Sequence, residues 1–281
     1  MSALENRLSS VLRPLIGRDL LLGLDVDGTL VDHSGAMSER LHDALQRAAG
    51  RHHVVIATGR SVGATLPIVQ AAGITRGHAV CSNGAVTLEI DPSAADGFRV
   101  IDTRTFDPAE ALRVLHEAAP SAHFAVETAD GKFFSTQAFQ DPSFGVIAHE
   151  SHIEALQDLT AVRVVVYSPD IPTGEFTELV AEAGVHGVEY AVGTTSWLDM
   201  AAPGVSKATA LEFVRERLGV DPDATLTIGD GWNDTEMLTW ATVGVAMGQA
   251  LPGIQEVADV VTATIWDDGA AEVLEILQGT D

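Results

Sequence analysis

The sequence predicts an α/β protein whose core is a Rossmann-like, doubly wound parallel β-sheet. Its most informative stretch is an apolar run over residues 20–24 that is followed at once by two carboxylates, Asp25 and Asp27, and by Gly28. An unbroken apolar run of this length suits a central strand that is buried on both faces. Similar runs recur along the chain and alternate with helical patterns, which is typical of a parallel sheet covered by helices.

The first part of the core contributes three strands to this prediction. Ser38 is a suitable N-cap for the helix after the first strand, and Gly50 is a suitable end for it. The elements predicted next are a strand over residues 53–57, a helix to about Ala72 and a strand over residues 79–81. The second strand leads directly into Thr58, and the third leads into Ser82 and Asn83.

The pattern changes between residues 85 and 200. Residues 86–90 and 98–102 are predicted to form a hairpin, because the loop between them is rich in turn residues. Further strands are predicted at residues 123–126, 132–136, 162–167, 188–192 and 196–200, with a helix over residues 173–183. We therefore predict two domains, a core of residues 1–84 and 201–281 and an inserted α+β domain of residues 85–200.

The last part of the chain returns to alternating helices and strands. The elements predicted there are a helix over residues 206–218, strands over residues 225–228, 243–247 and 260–261, and a terminal helix. Lys207 lies in the first turn of the first of these helices. The strand that follows this helix ends in a polar segment that contains Asp230, Asn233 and Asp234.

Composition limits the classes of function. The 281 residues include 16 Lys and Arg against 40 Asp and Glu, which gives a net charge of −24. Because so few basic residues cannot build a broad positive patch, we expect no nucleic-acid partner and no membrane partner. One cysteine, Cys81, cannot form an internal disulfide, and neither a signal peptide nor a membrane-spanning apolar run is recognisable. We expect a cytoplasmic protein that is a monomer or a small homo-oligomer.

Polar side chains follow four of the predicted core strands. Because the carboxyl ends of parallel strands lie along one edge of a sheet, we expect these side chains to converge. Two carboxylates as close as Asp25 and Asp27 repel each other. A folded protein therefore keeps them only with a cation between them, a raised pKa on one of them, or chemistry that needs both. A solvated Asp-Gly turn is an alternative, whereas a calcium loop does not fit because Gly28 comes too early. With a divalent metal, the set suits phosphate chemistry.

Five segments follow one another in the order and spacing of a known family. They are Asp25-Val26-Asp27-Gly28-Thr29-Leu30, Thr58-Gly59-Arg60, Ser82-Asn83-Gly84-Ala85, Gly204-Val205-Ser206-Lys207 and Gly229-Asp230-Gly231-Trp232-Asn233-Asp234. On these segments the chain resembles the haloacid dehalogenase (HAD) superfamily, and within it the Cof-type phosphatases with a type IIB cap. The resemblance covers the whole core, and the insertion falls where that family places its cap domain.

The resemblance implies a reaction and a metal site. Asp25 would be the nucleophile that forms an aspartyl-phosphate, and Asp27 would be the general acid and base. Asp25, Asp230 and the backbone carbonyl of Asp27 would hold Mg²⁺, with Asp234 as direct or water-mediated support. The substrate would be a small phosphorylated metabolite, such as a sugar phosphate.

The resemblance also implies which residues contact the phosphate and the cap. The residues expected to bind the transferring phosphoryl group are Thr58, Gly59 and Lys207, together with Asn233, which would steady either the phosphate or the region of Lys207. Asn83 and Arg60 are expected on the side of the site that faces the cap, where Arg60 serves either an ion pair or the substrate.

Two other functions stay open at the level of sequence. A phosphomutase or phosphotransferase of the same superfamily would share the aspartyl-phosphate and differ only in the acceptor. A non-catalytic metabolite-binding module would keep the fold, but it would ordinarily lack one of the catalytic residues. No recognition motif is visible in the cap, where Asp199 stands at a position that is often Glu in the family. Trp197 and Trp232 suit either packing or a substrate pocket.

Overall fold

The structure is a computed structural model that describes residues 3–137, 139–183, 189–192 and 196–278. The first stretch of the core contains α1 (Ala3–Leu12), β1 (Leu21–Leu24), α2 (Glu39–Ala49), β2 (His53–Ala57), α3 (Val62–Ala71), β3 (Gly77–Cys81), β4 (Val86–Ile90) and β5 (Phe98–Thr103). The insertion contains α4 (Ala109–Ala118), β6 (His123–Thr128), β7 (Phe133–Ser135), β8 (His149–Glu150), α5 (Ile153–Gln157), β9 (Ala161–Tyr167), α6 (Thr173–Ala183), β10 (Glu189–Val192) and β11 (Trp197–Ala201). The second stretch of the core contains α7 (Lys207–Leu218), β12 (Thr225–Gly229), α8 (Thr235–Trp240), β13 (Val243–Ala246), α9 (Pro252–Gln255), β14 (Val260–Val261) and α10 (Gly269–Gln278).

The core sheet has eight strands in the order β14-β13-β12-β1-β2-β3-β4-β5. All pairs from β14 to β3 are parallel, and all four residues of β1 are buried in the middle of the sheet. The predicted doubly wound parallel sheet is therefore confirmed. Ser38 caps α2 as predicted, since its Oγ accepts a hydrogen bond from the Leu41 amide at 3.1 Å.

The insertion forms a second sheet of six strands in the order β10-β11-β9-β6-β7-β8. Its central strands β9 and β6 pair antiparallel, and β9 is almost wholly buried. Helix α4 packs against both α5 and α6, and α5 contacts strands β6 and β7 of this sheet. This arrangement is the α+β architecture that the sequence predicts for the insertion.

The hairpin of β4 and β5 lies in the core sheet and not in the insertion. β4 pairs antiparallel with β3 over five residues, and β5 pairs antiparallel with β4 at the edge of the same sheet. The assignment of residues 86–102 to the inserted domain therefore differs from the sheet topology, which places the start of the insertion after Thr103. The remaining domain limits stay a prediction.

The insertion is held over the carboxyl ends of the core strands, and we call it the cap. The Ser61 amide donates to the Ser143 carbonyl at 2.9 Å, and Ser61 Oγ donates to the Phe144 carbonyl at 2.6 Å. The next residue, Gly145, has a φ of +66°, and a Cβ there would lie 2.2 Å from the Ala64 amide nitrogen. This close approach requires glycine and fixes the cap loop against the start of α3.

Within the described part of the chain, none of the helices has the length and apolar character that crossing a membrane requires.

Candidate active site

Three carboxylates meet where two neighbouring core strands end. Asp25 follows β1, and Asp230 and Asp234 follow β12, which pairs with β1 in register Leu24 to Ile228. One oxygen of each of these three carboxylates lies within 4.8 Å of the others. The parallel pairing of β1 and β12 thus brings together side chains that are two hundred residues apart in sequence, as predicted from the strand ends.

Lys207 provides a positive charge inside this acidic cluster. It is the first residue of α7, and its Nζ lies 2.7 Å from Asp25 Oδ1 and 2.7 Å from Asp234 Oδ1. The side chain is completely buried. Burial alone would lower the pKa of Lys207, but the carboxylates of Asp234 and Asp25 raise it above its usual value. The ammonium therefore stays charged and balances part of the cluster.

The acidic cluster retains an excess of negative charge. Burial, followed by the charge of Asp234, raises the pKa of Asp25 well above its ordinary value of 3.8. The same two causes raise the pKa of Asp230 to about 6. Because three carboxylates face one ammonium, a divalent cation with oxygen ligands fits the charge and the donor set of this site.

Both carboxylate oxygens of Asp234 accept hydrogen bonds within the cluster. Its Oδ1 receives Lys207, and its Oδ2 accepts hydrogen bonds from the amides of Asp230 at 3.0 Å and Gly231 at 2.8 Å. These bonds fold the segment after β12 around the carboxylate. Asp234 therefore orients Asp230 and Lys207, and the direct or water-mediated support of a metal ion predicted for it stays a prediction.

Gln249 also orients Asp230 and is a site residue that was not predicted from the sequence. Its Nε2 donates to the Gly28 carbonyl at 2.6 Å and to Asp230 Oδ2 at 3.2 Å. Gly28 has a φ of +82°, and a Cβ there would lie 2.1 Å from Asp230 Oδ2. Gln249 comes shortly after β13, so the same search for polar residues at strand ends would have found it.

The Asp27 carboxylate lies outside the acidic cluster. Arg60 Nε donates to Asp27 Oδ2 at 2.9 Å, and Arg60 Nη2 donates to Asp27 Oδ1 at 2.5 Å. The Asp27 side chain is 59% exposed, so this two-pronged ion pair sits at the edge of the site. Of the two functions expected for Arg60, the structure shows the ion pair. The metal contact predicted for the Asp27 carbonyl stays a prediction.

A strained turn at residues 82–84 places Asn83 next to Thr58 and Asn233. Ser82, Asn83 and Gly84 have φ values of +50°, +54° and +108°, and two of these residues are not glycine. The Asn83 amide donates to the Thr58 carbonyl at 3.0 Å, and Asn233 Nδ2 donates to Asn83 Oδ1 at 2.9 Å. The turn therefore places Asn83 and Asn233 side by side.

The predicted phosphate-binding residues do not all reach the same space. Thr58 is buried, and its Oγ1 accepts a hydrogen bond from the Arg60 amide at 3.1 Å. Gly59 and Asn233 line a cavity of about 520 Å³ at the acidic cluster. Lys207 and Asn233 line a neighbouring cavity of about 210 Å³. Phosphate binding by these four residues stays a prediction.

The larger cavity lies between the core and the cap. Its lining includes, from the core, Asp25, Asp27 and Asp230, and, from the cap, Arg163, Trp197 and Asp199. Trp232 is half-exposed and lines the smaller cavity. A molecule bound through its phosphate at Asp25 would therefore extend toward the cap residues.

A second residue that the sequence analysis missed joins the cap to the strained turn. Glu127 on β6 is 1% exposed, and its Oε2 accepts a hydrogen bond from Ser82 Oγ at 2.8 Å. Burial raises the pKa of Glu127 from its ordinary value of 4.5 to about 7, although the charge of Arg163 opposes this change. Near neutral pH the cap thus carries a partly protonated carboxyl group against the core.

Replacing Glu127 by glutamine is expected to stabilise the protein above pH 7. Because the folded-state pKa lies above the unfolded one, the stability that comes from the neutral form is complete below pH 4.5 and is lost as the pH rises to about 7. The free energy of unfolding that is lost between these pH values is up to about 3 kcal/mol, at about 1.4 kcal/mol per pKa unit. Urea denaturation at pH 5 and pH 8 measures it. The exposed Glu110→Gln variant is the control, and a Glu127→Gln effect that is equal at both pH values would contradict the prediction.

The comparisons with known proteins identify the family of the chain. Residues 22–274 match a family model described as haloacid dehalogenase-like hydrolase. The chain is 30% identical to a phosphoglycolate phosphatase of Natronomonas pharaonis, over 90% of this chain and 96% of the relative. It is 25% identical to the 5-amino-6-(5-phospho-D-ribitylamino)uracil phosphatase YitU of Bacillus subtilis, over 91% of this chain and 96% of the relative.

Solved structures of this fold show the same arrangement of core and cap. The HAD subclass IIB sugar phosphatase BT4131 superposes with a TM-score of 0.77 at 22% identity, over 91% of this chain and 97% of the other. The fold, the order of the five segments and the family model agree with one another. The chain therefore belongs to the haloacid dehalogenase-like hydrolase family, as its motifs predict.

Proposed function

We propose that the protein is a Mg²⁺-dependent phosphatase that hydrolyses small phosphorylated metabolites of the sugar-phosphate type through an aspartyl-phosphate. The observation that carries this proposal is the cluster of Asp25, Asp230 and Asp234, in which Lys207 binds Asp25 and Asp234 while Asp25 and Asp230 line the larger cavity. The phosphatase names of the relatives support the reaction. The phosphorylated ribityl group in the name of YitU and the description of BT4131 as a sugar phosphatase support the substrate class.

The residues present fit a magnesium ion. Asp25 and Asp230 would hold it, together with the carbonyl of Asp27, while Asp234 keeps Asp230 and Lys207 in place. The bound ion would supply positive charge that neutralises the carboxylates and the phosphate, so that two anions can approach each other.

Each step of the proposed reaction uses a group of this chain. A carboxylate oxygen of Asp25 attacks phosphorus, the phosphorus–oxygen bond to the leaving group breaks, and Asp27 donates a proton to the departing oxygen. In the second half, Asp27 takes a proton from water, the water oxygen attacks phosphorus, and the bond to Asp25 breaks to release phosphate.

Removing magnesium is expected to stop the reaction. Phosphate release from p-nitrophenyl phosphate and a panel of sugar phosphates should fall at least about 100-fold in excess EDTA and return with added Mg²⁺. Asp230→Asn should raise the Mg²⁺ concentration for half-maximal activity at least about tenfold, since it removes an anionic ligand. The control is Asp43→Asn, because Asp43 is exposed on α2.

Two results of this experiment would point elsewhere. Full activity in EDTA would contradict the metal site. Isomerised sugar phosphate instead of free phosphate, seen by phosphorus NMR, would show the phosphomutase reaction.

A further inference from the structure

The cap presents a buried ion pair to the catalytic cavity. Arg163 on β9 is 3% exposed, and its Nε donates to Asp199 Oδ1 on β11 at 2.5 Å. Trp197 Nε1 donates to Asp199 Oδ2 at 2.9 Å, so both carboxylate oxygens are held. All three residues line the cavity that contains Asp25 and Asp27. The leaving group of a substrate bound at Asp25 would therefore meet this pair.

The guanidinium of Arg163 is incompletely hydrogen-bonded. Its Nη1 is buried and has no acceptor among the residues that the structure describes. A buried donor without an acceptor is costly, and proteins usually complete such a group with a ligand or a water molecule. Arg163 lines the smaller cavity as well as the larger one. An oxygen atom of a bound substrate would supply the acceptor that the guanidinium lacks.

The charges around Arg163 determine which kind of oxygen fits. Burial lowers the pKa of Arg163, but the carboxylates of Asp199, Glu127 and Asp141 raise it overall, so the guanidinium already has negative neighbours. A carboxylate on the leaving group would add a further negative charge to a desolvated site in which the guanidinium already has carboxylate neighbours. A hydroxyl adds no charge and accepts a hydrogen bond from the arginine. Its own proton can be donated to Asp199, whose oxygens have lone pairs beyond the bonds they already accept.

We propose that Arg163 and Asp199 form a subsite for a hydroxyl group of the leaving group, and that this subsite selects neutral, polyhydroxylated phosphate esters over carboxylated ones. The proposal rests on the proposed phosphatase function, since it concerns the part of the substrate beyond the phosphate. Asp199 fixes the arginine through Nε, and Trp197 fixes Asp199. The pair acts in binding, so its loss changes KM more than kcat.

The test compares two esters that differ in the leaving group, D-ribitol 5-phosphate and 2-phosphoglycolate. We expect the wild-type enzyme to prefer the ribitol ester in kcat/KM. Asp199→Asn leaves the charge of Arg163 unbalanced, so the preference should shift toward 2-phosphoglycolate by at least about tenfold. Arg163→Lys keeps the charge but loses the planar donor, and it should raise KM for the ribitol ester about tenfold with a smaller change in kcat.

The matched control is Arg113→Gln on the outer face of α4, where Arg113 is 48% exposed and pairs with Glu110 and Glu117. It should leave the ratio of the two kcat/KM values unchanged. A wild-type preference for 2-phosphoglycolate, or an unchanged ratio in Asp199→Asn, would overturn the subsite.

Failure of the reaction and failure of the subsite can be told apart. If the wild-type protein releases phosphate from neither ester, nor from p-nitrophenyl phosphate or the panel of sugar phosphates, the proposed phosphatase function is contradicted. Calorimetric binding of the two esters to the wild type and to Asp199→Asn then tests the subsite alone. The subsite is supported if the wild type binds the ribitol ester more tightly and Asp199→Asn shifts the preference toward 2-phosphoglycolate. Equal affinities of the wild type for the two esters overturn it.

Discussion

Replacing Asp25 by asparagine is expected to reduce phosphate release at least about 10⁴-fold, because an amide cannot form the phosphoenzyme. The same replacement should not unfold the protein. Burial and the charge of Asp234 raise the pKa of Asp25, so the folded protein disfavours its ionised form. We therefore expect a melting temperature equal to or above that of the wild type. Phosphate release and thermal denaturation measure the two effects separately.

The control for this variant is Asp43→Asn, which removes an exposed carboxylate from α2. It should change neither turnover nor melting temperature. Turnover by Asp25→Asn within about tenfold of the wild type would show that another group attacks phosphorus.

Replacing Lys207 by methionine is expected to destabilise the protein by about 3–5 kcal/mol and to abolish turnover. The ammonium lies 2.7 Å from both Asp25 and Asp234, and the side chain has no exposed surface. Removing one partner of a buried ion pair leaves uncompensated charge in a desolvated site, which is where such losses are largest. Urea denaturation in EDTA measures the change without stabilisation by a bound ion.

A second substitution separates charge from packing in this experiment. In the double variant Lys207→Met with Asp234→Asn, one of the two carboxylates next to the missing ammonium becomes neutral. We expect part of the lost stability to return, while turnover stays absent. The contrary result is that Asp234→Asn lowers the stability of the Lys207→Met protein by as much as it lowers the stability of the wild type. In that case the lysine acts through packing instead.

The core could be predicted from the sequence because its signals are local. Each parallel strand is a short apolar run that ends in polar residues, and parallel pairing places those ends along one edge. The hairpin of β4 and β5 gives no such signal. Its pattern of strand, turn and strand is the same in either domain, and only the pairing of β4 with β3 assigns it to the core sheet.

The side-chain pairs of the site were less predictable, because they depend on distances that sequence spacing does not contain. The ion pair between Arg60 and Asp27 spans 33 positions, and the one between Lys207 and Asp25 spans 182. Arg163 lies in an otherwise apolar strand, and its sequence does not reveal the partner on β11. For the same reason Glu127, which faces the core from the cap, was not foreseen.

The most direct test of the central proposal is a crystal structure of the wild-type protein with Mg²⁺ and beryllium trifluoride, a mimic of a phosphoryl group on a carboxylate. We expect beryllium bonded to a carboxylate oxygen of Asp25 and one Mg²⁺ ion in contact with both Asp25 and Asp230. Beryllium on another residue, or an ion that contacts neither of these two aspartates, would contradict the proposed function.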